Sequence, residues 1–359
     1  MSAAPITVVI VNWNGEEFLA PCLRSVLAQA GEVAVAPVVI DNGSTDGSLA
    51  LLAREFPQVP VVRAARNNYA AANNLGVAQA AGEFALLLNT DATLRPGCLR
   101  LLLAALRADP TAAAAAPKIV FPDGRLNTTG IAQRDDLYWV DRDLGAPDDG
   151  RAGPPEPVLG VSGCCALFSV AAWRQVGGED EDFHMYYEDV DLALRLRAAG
   201  FRSLYVPAAV CEHVGHGSIR KASTWKDELG ERNRLLVLAR HFPDRFAAEL
   251  VRSPWFQSAH PDAVAALLPL LAARSGADGS GALIALLLAL RDQVRELTGE
   301  LATRWGEHRN LPKILDEREQ WLARLLEEVA RLRIWRLPGR RLKPAEAEFL
   351  ARVRGRPRR

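Results

Sequence analysis

The sequence predicts an α/β fold built on a mostly parallel sheet, and two observations carry that prediction. Short β-branched runs alternate with helix-patterned segments through the first part of the chain. Two of those runs, Val35–Ile40 and Phe84–Leu88, stop in polar clusters, Asp41–Gly47 and Asn89-Thr90-Asp91. Ligands of parallel α/β sheets bind outside the carboxyl ends of strands, so a polar cluster at a strand end is a candidate site. With 359 residues and 49% hydrophobic composition, the chain is long enough for one large core and a smaller unit.

The elements follow in order. Ile6–Val11 is an apolar run without a basic leader, so it reads as the first strand and not as a signal. A helix through Leu19, Cys22, Leu23 and Val26 leads to the strand Val35–Ile40, and a helix over Leu49–Phe56 leads to a third strand at Val59–Val62. In Asp41-Asn42-Gly43-Ser44-Thr45-Asp46-Gly47, Asp41 is placed either to accept hydrogen bonds from a nucleoside or only to cap the next helix. After Phe84–Leu88, the Pro/Gly-rich stretch Gly145–Pro157 reads as a long mobile loop with a functional role. Gly163-Cys164-Cys165 fits a strand whose glycine allows close backbone approach, or simply a packed strand. From about Phe242 strand signals cease and helical patterns with a basic end take over, broken at Gly276–Gly281.

A third acidic cluster, Tyr187-Glu188-Asp189-Val190-Asp191, opens a helix that runs through Leu192, Leu196 and Ala199 and stops at Gly200. Acids in a first turn are ordinary complements to the helix dipole. Spacing separates them: Asp189 shares a face with Leu192, Ala193 and Leu196, whereas Asp191 sits four before Arg195 and is expected to form a surface pair. An inward carboxylate beside a cleft is a natural general base, its pKa raised by desolvation.

Charge and cysteine usage exclude several classes. Formal net charge is zero, so bulk electrostatics does not recommend nucleic acid as a partner. Cys22, Cys98, Cys164, Cys165 and Cys211 show no C-x-x-C spacing and read as reduced core thiols of a cytoplasmic protein. Ala282–Leu290 is too short to span a bilayer and Ala263–Ala273 is interrupted by Pro269, so no transmembrane helix is expected.

The ordered set Val11–Gly15 (VNWNG), Asp41–Gly47 (DNGSTDG), Asn73–Gly76 (NNLG), Leu87–Asp91 (LLNTD) and Tyr187–Asp191 (YEDVD) resembles the family 2 glycosyltransferases, in particular their rhamnosyltransferase-like bacterial branch. The resemblance covers about residues 5–240. It implies a GT-A nucleotide-sugar-binding α/β/α sandwich over 1–240, with 241–359 a helical extension ending in a basic tail. The implied reaction is inverting transfer from a nucleotide-diphosphate sugar, dTDP-rhamnose or similar, to a glycan or lipid-linked acceptor in cell-surface polysaccharide synthesis. Residue by residue, it puts Asp41 on the nucleoside, with Asn12, Asn14, Asn42, Asn73 and Asn89 on the donor side. Asp91 becomes the metal-binding acid of the D-x-D position, Asp189 the base and Glu188 its catalytic neighbour. His213 resembles the histidine that completes a Mg²⁺ or Mn²⁺ site, with His216 a competing choice.

The chain also departs from the pattern. Asn89 replaces the first acid of D-x-D, which leaves one fewer negative charge for a metal. Asn68 and Ala72 stand where glycines are usual, and asparagine is the non-glycine residue best able to adopt a left-handed turn. Trp13, Trp139, Tyr186 and Tyr187 are candidate platforms for a sugar or base. The arginine-rich segment Arg331–Arg359, with Glu346 and Glu348 its only acids, is expected to give peripheral contact with anionic lipid at the inner membrane face. A non-catalytic nucleotide-sugar-binding pseudoenzyme is the alternative. An oxidoreductase is disfavoured because Asn12-Trp13-Asn14-Gly15 stands where G-x-G-x-x-G would be, and a processive synthase because Q-x-x-R-W is lacking.

Overall fold

The computed structural model describes residues 4–215, 223–253, 255, 267, 270, 271 and 274. His216 and the basic segment Arg331–Arg359 lie outside the described residues. Contacts divide the chain into Met1–Lys226 and Asp227–Arg359, so the division falls before residue 240.

The first unit opens with β1 (Ile6–Asn12), α1 (Glu16–Leu27), β2 (Val35–Asp41), α2 (Ser48–Glu55), β3 (Val61–Arg63), α3 (Tyr69–Ala78) and β4 (Phe84–Asn89). It continues through β5 (Ala92–Leu94), α4 (Cys98–Ala108), β6 (Ala112–Val120), β7 (Leu126–Thr128), β8 (Ile131–Gln133), β9 (Trp139–Asp141) and β10 (Glu156–Val158). Then come β11 (Cys165–Ser169), α5 (Val170–Gln175), α6 (Glu188–Ala198) and β12 (Arg202–His213). The main sheet runs β10-β12-β6-β11-β4-β1-β2-β3, with β5 and β7 added beside β12 and β6. β1, β2, β3 and β4 are parallel neighbours, while β11 runs antiparallel between β4 and β6, so the sheet is mixed.

Continuous apolar runs form the central strands because both faces are covered. Every residue of β1 is buried, and its side chains alternate: Val8 and Ile10 join the core under α1, α2 and α4, while Val9 and Val11 join the core under α3, α5 and α6. Those two cores make an α/β/α sandwich. Gly76 lets α3 close on the sheet, since a Cβ there would come within 2.1 Å of a Val9 methyl. All five cysteines are free and buried, as the sequence suggested.

Register aligns the functional edge. Asn12 pairs with Asp41 across β1–β2 and Val11 with Asn89 across β1–β4, so three predicted site residues end neighbouring strands at one level. β11 brings Cys164 to the same edge, where its carbonyl accepts from the Asn89 amide at 2.9 Å, and Val214, just past β12, donates to the Asp91 carbonyl at 3.0 Å.

The stretch expected as a mobile loop is tied down. Lys118, itself buried, reaches Asp148 at 2.8 Å, Leu126 donates to the Ala146 carbonyl, and the loop ends inside β10. Next in the chain are α7 (Ser223–His241), within which the division falls, and α8 (Pro243–Arg252); α7 carries a buried Arg234, whose guanidinium binds Glu231 at 2.8 and 2.9 Å. Among the described residues no helix is long and apolar enough to cross a membrane.

Candidate active site

The carboxyl edge of the sheet encloses a cavity of about 450 Å³ lined by Trp13, Asn42, Asn89, Asp91, Glu188, Asp189 and His213, among others. Six of the predicted site residues therefore share one space. Asn12, Asn14, Asp41 and Asn73 do not line it.

Three of those four brace the loop after β2. Asn12 is buried and donates to the hydroxyls of Ser44 and Ser48, each at 2.9 Å. Asn14, in a left-handed conformation (φ 52°), accepts from the Thr45 amide at 2.7 Å. Asp41 accepts from the Ser44 amide at 3.3 Å and from no amide of α2, whose N-cap is Gly47 without a side-chain cap, while Asp46 accepts from the Ser48 amide at 3.1 Å. Asp41 therefore braces the turn and caps no helix. Its neighbour Asn42 lines the cavity while holding Asn67 and the Asn68 amide, both at 3.0 Å.

Asn73, the fourth, lies on α3 away from that loop. It is buried on α3 and donates to Glu179 at 3.0 Å, while Asn74 clamps the Glu179 backbone through both N–H and carbonyl at 2.9 and 2.8 Å. The asparagine pair thus fastens the approach to α6. Asn68 is a correction: its backbone is extended (φ −157°), and its side chain caps α3 by accepting from Ala71 at 2.9 Å. The tolerance of asparagine for left-handed turns was the wrong property of the residue.

The acidic helix start is arranged differently from its helical wheel. Asp191 is fully buried and paired with Arg195 at 2.7 Å, so it is no surface pair. Arg195 is held in turn by the Val176 carbonyl at 2.6 Å. Asp189 is half-buried and faces the cavity, its oxygens accepting from the Gly163 amide at 3.2 Å and the Val190 amide at 2.8 Å. Burial pushes its pKa up to about 6, with the Asp141 charge adding to the rise and the two amides opposing it. Glu188 is buried with Oε2 unpartnered, and burial first, then Asp189 and Glu179, hold it well above the carboxylate range. Burial likewise pushes Glu179 up to about 8.

Gly163 serves through its N–H. A Cβ there would stand 3.8 Å from the Tyr69 hydroxyl and 4.0 Å from Asp189, ordinary contacts, so close approach does not demand the glycine.

Asp91 and His213 converge, Oδ1 to Nε2 at 3.2 Å, and His213 Nδ1 lies 3.3 Å from the Asn127 amide oxygen. An oxygen–nitrogen pair of this kind fits a divalent cation that takes its remaining ligands from a diphosphate and water. Among the described residues no third His, Cys, Asp or Glu joins them. Asn89 does not point a free oxygen at the pair, because its Oδ1 accepts from the Tyr69 hydroxyl at 2.8 Å.

Tyr187 and Trp139 meet edge to face with ring centroids 6.1 Å apart. His184, Tyr186 and Tyr187 all have positive φ (64°, 69° and 67°), a strained run that delivers Glu188 and Asp189 into the cavity. Sequence reasoning missed Asn67, Tyr69, Asn127 and Asp141, all of which line the cavity. Asn67 and Tyr69 flank the departure at Asn68, which was the available signal; Asp141 had none.

Comparison with known proteins agrees with this geometry. A family profile described as Glycosyl transferase family 2 matches residues 7–177. The chain is 35% identical over 243 residues to the N-acetylglucosaminyl-diphospho-decaprenol L-rhamnosyltransferase of Mycobacterium tuberculosis (strain ATCC 25618 / H37Rv), covering 60% of this chain and 78% of that protein. Rhamnosyltransferase WbbL of Escherichia coli K12 is 40% identical over 72 residues, 18% of this chain and 27% of that one. Among solved structures, that of GalNAc-T7 with UDP, GalNAc and Mn²⁺ aligns with TM-score 0.56 at 18% identity, covering 70% of this chain and 51% of that chain. That last likeness speaks to the fold alone, a mixed α/β sheet of the GT-A glycosyltransferase type.

Proposed function

Because the chain belongs to glycosyl transferase family 2, and is therefore a glycosyltransferase, we propose that it transfers a sugar, rhamnose being favoured, from a nucleotide-diphosphate donor to a hydroxyl of a glycan or lipid-linked acceptor, with inversion, in cell-surface polysaccharide synthesis. The observation that carries the reading is Asp189: a carboxylate facing the cavity, oriented by two backbone amides and raised to about 6. A sugar hydroxyl is a poor nucleophile. As its oxygen bonds to the anomeric carbon, the bond to the diphosphate oxygen breaks on the opposite face, the electron pair leaves with the diphosphate, and the hydroxyl proton goes to Asp189. With its pKa near 6, Asp189 is mostly ionised at neutral pH yet more basic than an ordinary aspartate, as a general base should be.

Glu188 stays neutral behind it, which keeps a second negative charge from the reacting centre. Asp41 and Asn42, at the end of β2, take the nucleoside. A divalent ion held by Asp91 and His213 would neutralise charge on the departing diphosphate. The L-rhamnosyltransferase named for the mycobacterial relative supports rhamnose as the sugar. Thermal-shift measurements with a panel of nucleotide sugars, with and without Mn²⁺, test the donor: dTDP-rhamnose should raise the melting temperature most. A protein stabilised by none of them would not be a nucleotide-sugar enzyme.

A further inference from the structure

Asn89 ends β4 with its backbone fixed on both sides, in register with Val11 of β1 and donating its N–H to the Cys164 carbonyl at 2.9 Å. Its side chain lines the cavity and is held at one end only: Oδ1 accepts from the Tyr69 hydroxyl at 2.8 Å, while Nδ2 donates to no described residue. Nor is Nδ2 one of the described buried polar atoms that lack a partner, so its two hydrogens open into the cavity.

Tyr69 is the first residue of α3, and its neighbours fix where its ring stands. Asn68 caps the helix through Ala71 and donates its own amide to Asn42 at 3.0 Å, and Ala70 donates to the His184 carbonyl at 3.1 Å. The hydroxyl has one hydrogen and two acceptors within reach, Asn89 Oδ1 at 2.8 Å and the Gly163 carbonyl at 3.2 Å. Only the shorter contact has the ordinary length of an O–H···O bond. Burial pushes the phenol well above its usual pKa, so the hydroxyl keeps that hydrogen throughout the working range. An amide turned the other way would donate to the phenol oxygen and leave its own oxygen facing the cavity. The tyrosine therefore decides which end of Asn89 a ligand meets, and the choice has a sign: the negative oxygens of a diphosphate attract an N–H and repel a carbonyl oxygen or a carboxylate.

We propose that Tyr69 is a positioning residue, its hydroxyl holding the Asn89 amide so that Nδ2 donates to a diphosphate oxygen of the nucleotide sugar. This rests on the glycosyl-transfer reading and adds to it a consequence: part of the hold on the diphosphate does not pass through a metal.

The test is calorimetry on the full chain with thymidine, dTDP and dTDP-rhamnose, each in EDTA and again with Mn²⁺. In EDTA the wild type should bind dTDP more tightly than thymidine. Tyr69→Phe removes the hydroxyl alone and should raise the Kd of dTDP and of dTDP-rhamnose about tenfold, the loss of one hydrogen bond to a charged group, with thymidine unmoved. Asn89→Ala should do the same, and Tyr69→Phe added to it should change nothing further, because the hydroxyl acts through the amide. Asn89→Asp should weaken dTDP in EDTA at least as much and recover it in Mn²⁺, since a second carboxylate near Asp91 repels the diphosphate until a cation offsets it. A tyrosine that only braces α3 would weaken all three ligands together. The proposal is overturned if Tyr69→Phe weakens thymidine as much as dTDP, or if it weakens dTDP-rhamnose and not dTDP, which would put the amide on the sugar. It is equally overturned if the effect of Tyr69→Phe survives in full beside Asn89→Ala, or if Asn89→Asp binds dTDP in EDTA as the wild type does. A wild type that binds dTDP no better than thymidine in EDTA overturns this inference alone, whereas one that binds none of the three, with or without Mn²⁺, overturns the reading beneath it.

Discussion

Asp189→Asn is the most direct probe of the chemistry. The amide keeps the shape and its one oxygen can still accept from one of the Gly163 and Val190 amides, which bind different oxygens of Asp189, but it cannot take a proton. A positioned general base is worth ~10²–10⁴-fold, about 3–5 kcal/mol, so turnover should fall by that factor. Donor Kd should hardly change. The wild-type pH profile supplies a second magnitude. A pKa of about 6 leaves Asp189 about nine-tenths ionised at pH 7 and about one-tenth at pH 5, so kcat should fall about tenfold per unit below pH 6. An aspartate at its ordinary value would show no such fall until about pH 4. Glu188→Gln is the companion variant: since Glu188 is held protonated, the amide imitates its working state and should retain far more turnover than Asp189→Asn. Steady-state kinetics with isothermal titration of the donor reads all of this. An Asp189→Asn enzyme within a few-fold of wild type, or one that keeps the acid limb near pH 6, would refute the assignment.

Asp41→Ala should raise the donor Kd roughly 10–100-fold, the loss of one charge-assisted hydrogen bond in a dry site, with kcat at saturating donor nearly intact; unchanged affinity by calorimetry would return Asp41 to bracing the loop. Asp91→Asn and His213→Ala should each raise the Mn²⁺ concentration for half-maximal activity, and the double variant should add little to the worse single one because the two groups share one ion. Full activity in excess EDTA would reject that site. Glu179→Gln should stabilise the protein at pH 8 and hardly at pH 4: the folded state keeps a proton up to about 8 that the unfolded chain loses near 4.5, so wild-type stability drops as pH rises through that window, at up to about 1.4 kcal/mol per pH unit. Melting curves across the window that stay parallel for the two proteins would show that Glu179 does not titrate there.

What was legible in the sequence, and what was not, follows from which forces act locally. The strands and their polar ends were readable because continuous apolar runs demand two covered faces, and Asn12, Asp41 and Asn89 fall level once β1, β2 and β4 pair in register. Depth within the acidic motif was not readable. A helical wheel reports the faces of one helix, but Asp191 is buried because Arg195 folds over it and reaches the Val176 carbonyl, a partner supplied by the turn after α5. Glu188 is buried alongside Glu179, which α3 holds through Asn73 and Asn74. The NNLG motif therefore acts at a distance of about a hundred residues in sequence, as its bonds to Glu179 record, and its shared presence with the acidic motif reflects a structural tie between α3 and the start of α6. The same logic explains why Asp141 gave no signal: three-residue strands carry too few positions to show a period, and only the pairing of Gln133 with Trp139 and Ile131 with Asp141 brings that acid to the cavity. Residues that set the base's environment are thus drawn from long-range contacts, while residues that end strands are fixed by local pattern.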